Sequence, residues 1–391
     1  MAMDARWTRW EGRGCVALLC VVLAGCSSDS PSGPPDGAPA ADAGPPDGAP
    51  VADASPPDAR PRPARLLGVV LTPAENDATG PFDQANEGAF DQARRVGVNA
   101  VQLRWQWGEL EPAPMLYRDA ELDAANRLFA GKGVQILLGI DPIDGSLGGR
   151  GTPPELEGTS FDDPALITRY EQLLDHVLSR IPDLDVTVLM VGNEVNAHLV
   201  ETNEWQPYAT FYAAVGDHAR AVAPGLRVGV TGNGELVTDP IQRDPMKMLN
   251  QSSDIISLTQ WVSTDVHDYF DLLTSEYPGR PISITEIGFP SSPVLGSSEA
   301  HQAFFVRDVF SAWDEHSTQI EHISFFDLHD MSAEEAQGWE DLICQQLPEE
   351  CGDPGVIAAI LSSLGLRTYP GGGTDKLAFT ALGEEASARG W

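Results

Sequence analysis

An apolar run followed by an amphipathic stretch recurs eight times between residues 66 and 391, and this alternation restricts the fold more than any other feature. The runs are LLGVVLTP (66–73), VNAVQLRWQW (98–107), VQILLGIDP (134–142), VTVLMVGNE (186–194), LRVGVTGN (226–233), DIISLTQW (254–261), PISITEIGF (281–289) and IEHISFFDLHD (320–330). Continuous apolar runs of this kind suit strands buried on both faces of a parallel sheet. Helical spacing fills the gaps, as in EGAFDQARRVG, AELDAANRLFAGKG, PALITRYEQLLDHVLSRI and SEAHQAFFVRDVFSAWDEH. Asp163 before Pro164 is a helix-start signal. A weaker helix is expected near 239–251, and either DPGVIAAILSSLG or KLAFTALGEEASARG closes the series. Eight βα units in succession predict an α/β chain folded as a single (β/α)8 TIM barrel over residues 65–391. An open doubly wound sheet would call for Gly-x-Gly-x-x-Gly after the first strand, where LTPAEND stands.

The segment before the barrel has a different composition. Arg6, Arg9 and Arg13 precede CVALLCVVLAG (Cys15–Gly25), an apolar run too short to span a bilayer and right for the core of an export signal. It ends in Leu23-Ala24-Gly25-Cys26, which resembles a bacterial lipobox. The resemblance implies a signal peptide at 1–25, lipidation of Cys26 and a place in the cell envelope, at the outer membrane or cell surface. Residues 26–64 read as a disordered tether. GPPDGAPAADA (33–43) is followed at once by GPPDGAPVADA (44–54), and such a segment has too little apolar surface to offset chain entropy. Extended, it would reach about 100 Å. A net charge of −34 argues against nucleic acid, whose binding needs basic patches, and suits a neutral ligand. Membrane association is expected through the lipid alone, and the barrel is expected to be a monomer. Cys344 and Cys351 can pair in an oxidising compartment. Two cysteines without nearby histidines are too few for zinc, so no metal and no cofactor are expected.

Barrels of this kind carry their chemistry at the C-terminal ends of the strands. Those ends hold Arg104, Trp105 and Trp107 (second strand), Asp141 (third), Asn193 and Glu194 (fourth), Gln260 and Trp261 (sixth), Glu286 (seventh), and Phe326, Asp327 and His329 (eighth). His198 lies one helical turn beyond Glu194. Carboxylates, amides and aromatic rings on one face suit a hydroxyl-rich ligand with a flat apolar side, a sugar. Glycosidic bond cleavage needs a proton at the leaving oxygen and negative charge at the anomeric carbon, and two carboxyls in different environments supply both. Three Asn-Glu pairs occur in the chain, but Glu87 and Glu204 follow no strand and read as surface residues.

Asn193-Glu194 after the fourth strand and Glu286 after the seventh resemble the signature of the clan A retaining glycoside hydrolases. The segment VQLRWQWGELEPAPMLYRDAELDAANRLFAGKGVQILLGI is similar to that family's second-to-third-strand region, with its Trp, Glu-Pro and Tyr landmarks. ITEIGFPSS most resembles the endo-β-1,3-glucanase motif. The resemblance implies Glu194 as acid/base, Glu286 as nucleophile, Arg104 as support for the nucleophile, and Asn193 as a partner of the sugar 2-hydroxyl. It leaves Trp105, Trp107, Asp141, His198, Gln260, Trp261, Phe326 and Asp327 as candidate substrate contacts. The family's tryptophan after the eighth strand is replaced by FFDLHD, so Phe325, Phe326 or Trp339 is the candidate platform. A non-catalytic carbohydrate-binding lipoprotein and a glucan transglycosylase are the alternatives.

Overall fold

Each of the eight apolar runs forms a strand, and the strands join in one ring. A computed structural model describes residues 65–73, 84–147, 149–261, 265–346, 351, 353–369 and 372–391. The signal peptide, Cys26 and the tether lie outside the described residues. The strands are β1 (Leu66–Val69), β2 (Ala100–Gln106), β3 (Gln135–Asp144), β4 (Asp185–Asn193), β5 in two pieces (Arg227–Gly229 and Thr231–Asn233), β6 (Ile256–Trp261), β7 (Ile282–Gly288) and β8 (Ile320–Phe325). Neighbours pair in parallel from β4 through β3, β2, β1, β8 and β7 to β6. The first piece of β5 pairs with β4 and the second with β6, so the break at Val230 closes the ring.

Eight helices cover the outside: α1 (Gln84–Arg95), α2 (Asp119–Phe129), α3 (Pro164–Arg180), α4 (Trp205–Val222), α5 (Pro240–Leu249), α6 (Val266–Glu276), α7 (Glu299–Glu315) and α8 (Leu377–Ala388). Local sequence sets where they begin. Asp163 accepts from the Ala165 amide with Pro164 at the first helical position, as expected, and Asp239 does the same for α5. Such a cap contributes about 1 kcal/mol. In α3 the residues Leu166, Tyr170, Leu173, Leu174 and Val177 form one buried stripe against the sheet. Leu66, Ala100, Leu137, Val188, Met190 and Ile255 form a separate cluster that fills the barrel, while the larger cluster lies between strands and helices.

Of the two candidates for the closing helix, the C-terminal one (α8) packs against the barrel. The other belongs to an insertion between β8 and α8. There, helices Ala333–Gln346 and Val356–Leu361 enclose their own core of Ala336, Ile343, Ile357, Ile360, Leu361 and Leu364. The Cys344–Cys351 disulfide, expected from sequence, staples this insertion, with Cα atoms 4.8 Å apart. Buried Glu340 accepts from the amides of Gly355 and Ala358 and so fixes the start of the second helix.

Candidate active site

Alternation along β2 decides which of its residues face the barrel. Gln102 donates to the Thr285 carbonyl oxygen on β7, and Arg104 reaches Asp141 across the β2–β3 pair (Nε to Oδ2, 3.7 Å). Even-numbered positions therefore point inward, and Val101, Leu103 and Trp105 point outward into the helix layer. This corrects the expectation for the two tryptophans. Trp107 is fully buried, donates from Nε1 to Glu111 at 2.9 Å and packs edge-on against Tyr170. Trp105 lies in the same core, so neither ring is a sugar platform. Glu111, from the Glu-Pro landmark, also accepts from Arg169 at 2.6 Å and from the Met115 amide at 2.8 Å. That landmark holds a loop.

At the tip of β4 the backbone turns sharply. Gly192 has φ +90°, and a Cβ there would lie 2.5 Å from Val195 Cγ1 and 2.6 Å from the Tyr208 hydroxyl, so only glycine fits. The next turn falls on Glu194 itself, a non-glycine residue in the left-handed region (φ 45°, ψ 38°). Such a conformation costs about 1 kcal/mol or more and persists only where packing over-determines it. Glu194 occupies the N-cap position of helix Val195–Thr202, yet its side chain does not cap that helix. Instead its Oε1 accepts from Thr259 Oγ1 on β6 at 2.6 Å. Asn196 on the same helix donates to Asn233 at 2.8 Å and ties the turn to β5.

A different device presents Glu286. Between β6 and β7, Leu258 pairs with Ile284 but Thr259 pairs with Glu286, so β7 carries one extra residue, Thr285. This bulge shifts the alternation. Ile284 and Ile287 pack outward in the main core, and Glu286 faces the charges inside the rim. Arg104 is the cation that pulls on it. Arg104 itself lies across Gly139, where a Cβ would stand 3.2 Å from both its Cγ and Nε. Asp141, Glu286, Asp144 and Glu194 all act on the guanidinium.

The two glutamates thus meet in one electrostatic site with unequal surroundings. Burial pushes Glu194 up to about 8, the charge of Glu286 adds to the rise, and the Thr259 hydrogen bond opposes it. Burial raises Glu286 to about 7, with Arg104 pulling down and Asp144 pushing up. Both carboxyls are thus held above the ordinary range, Glu194 beside a neutral hydroxyl and Glu286 beside a cation. Burial also holds Asp141 and Asp327 well above the usual carboxylate range.

The remaining expected residues divide. Asn193 is buried and donates to Asp144 at 3.1 Å. Asp141 is fully buried beside Arg104, so it acts on the guanidinium. Asp327 is buried one residue past Phe326, whose amide donates to the Ile287 carbonyl at the β7 tip. Gln260 is buried against Gly234, where a Cβ would collide with its Oε1. Trp261 ends β6, but its side chain lies outside the described residues. His198 pairs with Glu204 (Nε2 to Oε2, 3.3 Å) and packs on Gly149. Glu204, expected at the surface, is half-buried and also pairs with Arg150. Phe325 is core, whereas Phe326 and Trp339 pack against the small cluster of the insertion. His329 accepts from Arg367 and holds the Thr72 carbonyl, a buried structural contact. Thr259, Asp144 and Ser146 belong to the site although sequence reading passed over them. Thr259 was accessible by period-two counting from Trp261.

No protein-family model matches the sequence, and no curated relative does. Solved structures do match in fold. An exo-β-1,4-mannosidase from Opitutaceae bacterium strain TAV5 is 16% identical with a TM-score of 0.63, covering 83% of this chain and 59% of its own. A GH5_18 protein from Streptomyces cattleya, in complex with Manβ1-4GlcNAc, is 16% identical with a TM-score of 0.62 and covers 84% of this chain and 81% of its own. A family 39 glycoside hydrolase from Bacteroides cellulosilyticus WH2 is 14% identical with a TM-score of 0.60, covering 83% and 64%. This chain spans about three fifths of the mannosidase's length. At these identities the likeness is one of fold: the chain is a (β/α)8 barrel of the kind that glycoside hydrolases use.

Proposed function

We propose that the protein is a retaining glycoside hydrolase acting on β-glycosidic bonds. The observation that carries this is the meeting of two glutamates from the tips of β4 and β7 in unequal surroundings, Glu194 buried against the Thr259 hydroxyl and Glu286 half-buried and facing the Arg104 cation. Glu286 attacks the anomeric carbon and forms a glycosyl ester as the bond to the leaving oxygen breaks. Glu194 gives its proton to that oxygen. A water then attacks the same carbon, Glu194 takes the water's proton, and Glu286 leaves as carboxylate. Asn193 hydrogen-bonds the sugar 2-hydroxyl. A purely carbohydrate-binding barrel would need neither a held proton nor a charged partner for it.

The substrate is a β-linked glycan. The names of the fold relatives favour β-mannoside, whereas ITEIGFPSS favours β-glucan. A reducing-sugar screen over β-mannan, β-1,3-glucan, β-1,4-glucan and galactan separates these. Glu286→Gly should lose hydrolysis of an activated aryl glycoside by more than about 1,000-fold, and azide should restore part of it. Undiminished activity in that variant refutes the assignment. We also propose that Cys26 carries the lipid that holds the barrel at the cell envelope. Cys26→Ser should then release the protein from the membrane fraction.

A further inference from the structure

Beside Glu194, three side chains, one each from the ends of β3 and β4 and one from the turn that follows β3, make a closed hydrogen-bond set. Asn193 Nδ2 donates to Asp144 Oδ1 at 3.1 Å and to Ser146 Oγ at 3.3 Å, and Ser146 Oγ donates to the same Asp144 oxygen at 2.7 Å. Asp144 stands directly opposite Asn193 in the β3–β4 register. The turn that bears them is wedged against β4: a Cβ at Gly145 would meet the Glu194 carbonyl oxygen at 2.2 Å. Asp144 is 4% exposed and Asn193 3%, so neither swings freely.

A carboxylate only accepts hydrogen bonds, so the amide group turned to it must be the NH2. Asn193 Oδ1 then points the other way, and it has no hydrogen-bond partner among the described residues. A buried carbonyl oxygen without a donor costs free energy until a ligand supplies one.

We propose that Asp144, helped by Ser146, is a positioning residue that holds Asn193 oxygen-first toward the ligand, so that the sugar must carry a free hydroxyl donor next to the reacting carbon. This rests on the glycosidase reading. It adds that the neighbouring position can be neither empty nor acylated. The orientation of that hydroxyl separates glucosides from mannosides. Its donor proton is what Asn193 requires of either.

The test uses three 4-nitrophenyl substrates: the β-D-glucoside, the β-D-mannoside and the 2-deoxy-β-D-arabino-hexopyranoside, which lacks the group by which the first two differ. For the wild-type protein, kcat/KM on the better hydroxylated substrate should exceed that on the deoxy sugar by about 100-fold or more. Asp144→Ala should shrink this ratio at least about tenfold. Asp144→Asn keeps an acceptor oxygen and should hold the ratio within about threefold of wild type, even if Asp144→Ala folds poorly. A merely structural role would lower both substrates together and leave the ratio alone. A wild-type ratio below about 3, or a ratio unchanged in folded Asp144→Ala, overturns the proposal. If the wild type cleaves none of the three and no glycan in the screen, the glycosidase reading fails. The orientation is then judged from the Asn193 side-chain 15N–1H resonances. They should move when Asp144 becomes alanine, and an unmoved pair of signals overturns it.

Discussion

The tips of β4 and β7 each deliver one glutamate to the same barrel mouth, and they do so by opposite means. β4 uses two positive-φ residues, Gly192 near the end of the strand and Glu194 just past it. β7 stays a strand and inserts one residue, Thr285, so that Glu286 changes face. The surroundings differ in the same sense. Glu194 is 1% exposed and receives a neutral hydroxyl from Thr259, while Glu286 is only partly buried and receives the charge of Arg104. One side-chain type thereby gains two different surroundings, a neutral hydroxyl donor and a cation, from backbone geometry and two neighbours.

The sharpest way to break this contrast is to replace Glu194, the proposed proton donor. Glu194→Gln should lower kcat about 100- to 10,000-fold on glycosides with poor leaving groups, and much less on a dinitrophenyl glycoside that departs unaided. The same variant tests the burial cost. Both carboxyls bind protons more tightly folded than unfolded, since about 8 and about 7 lie above the ordinary 4.5. Their contribution to stability is therefore complete below pH 4.5 and is lost as pH rises through 7 and 8. Urea unfolding should find Glu194→Gln more stable than wild type at high pH by on the order of 3 kcal/mol, with the gap closing in acid.

Next in size is the β4 turn. Gly192→Ala should destabilise the fold by about 2 kcal/mol or more, because its φ and both near contacts reject a Cβ. Arg104→Leu probes the other tip. Arg104 lowers Glu286, so its loss should raise the acid limb of the kcat/KM profile by about one pH unit while the basic limb moves less. Smallest is Thr259→Val. The Thr259 hydroxyl lowers Glu194, so the basic limb should move up by a few tenths of a unit, with about 1 kcal/mol of stability lost. A shift of the acid limb instead would exchange the two roles.

Much of this contrast was legible in the chain. Eight alternating units dictated the barrel, and GNEV and ITEIG marked the two tips because polar residues there interrupt apolar runs. What resisted reading was the side each residue faces. Arg104 and Trp105 are adjacent, so they cannot share a face, and Arg104 inward requires Trp105 outward. Period-two counting back from Trp261 also finds Thr259, the actual neighbour of Glu194, in place of Gln260. Other features had no local signal. The extra residue in β7 is set by pairing with β6, and Asp144 matters only because β3 runs past Pro142 to meet Asn193. The Cys344–Cys351 bridge was foreseen, whereas the two-helix core that it staples was not.

The assignment of roles is tested most directly by trapping the ester. A 2,4-dinitrophenyl 2-deoxy-2-fluoro-β-glycoside of the sugar that the screen selects should inactivate the protein in a single-exponential process. Peptide mass spectrometry should then find one fluorosugar on Glu286. The label on Glu194, or unlabelled protein that turns the reagent over without a detectable adduct, would contradict the account.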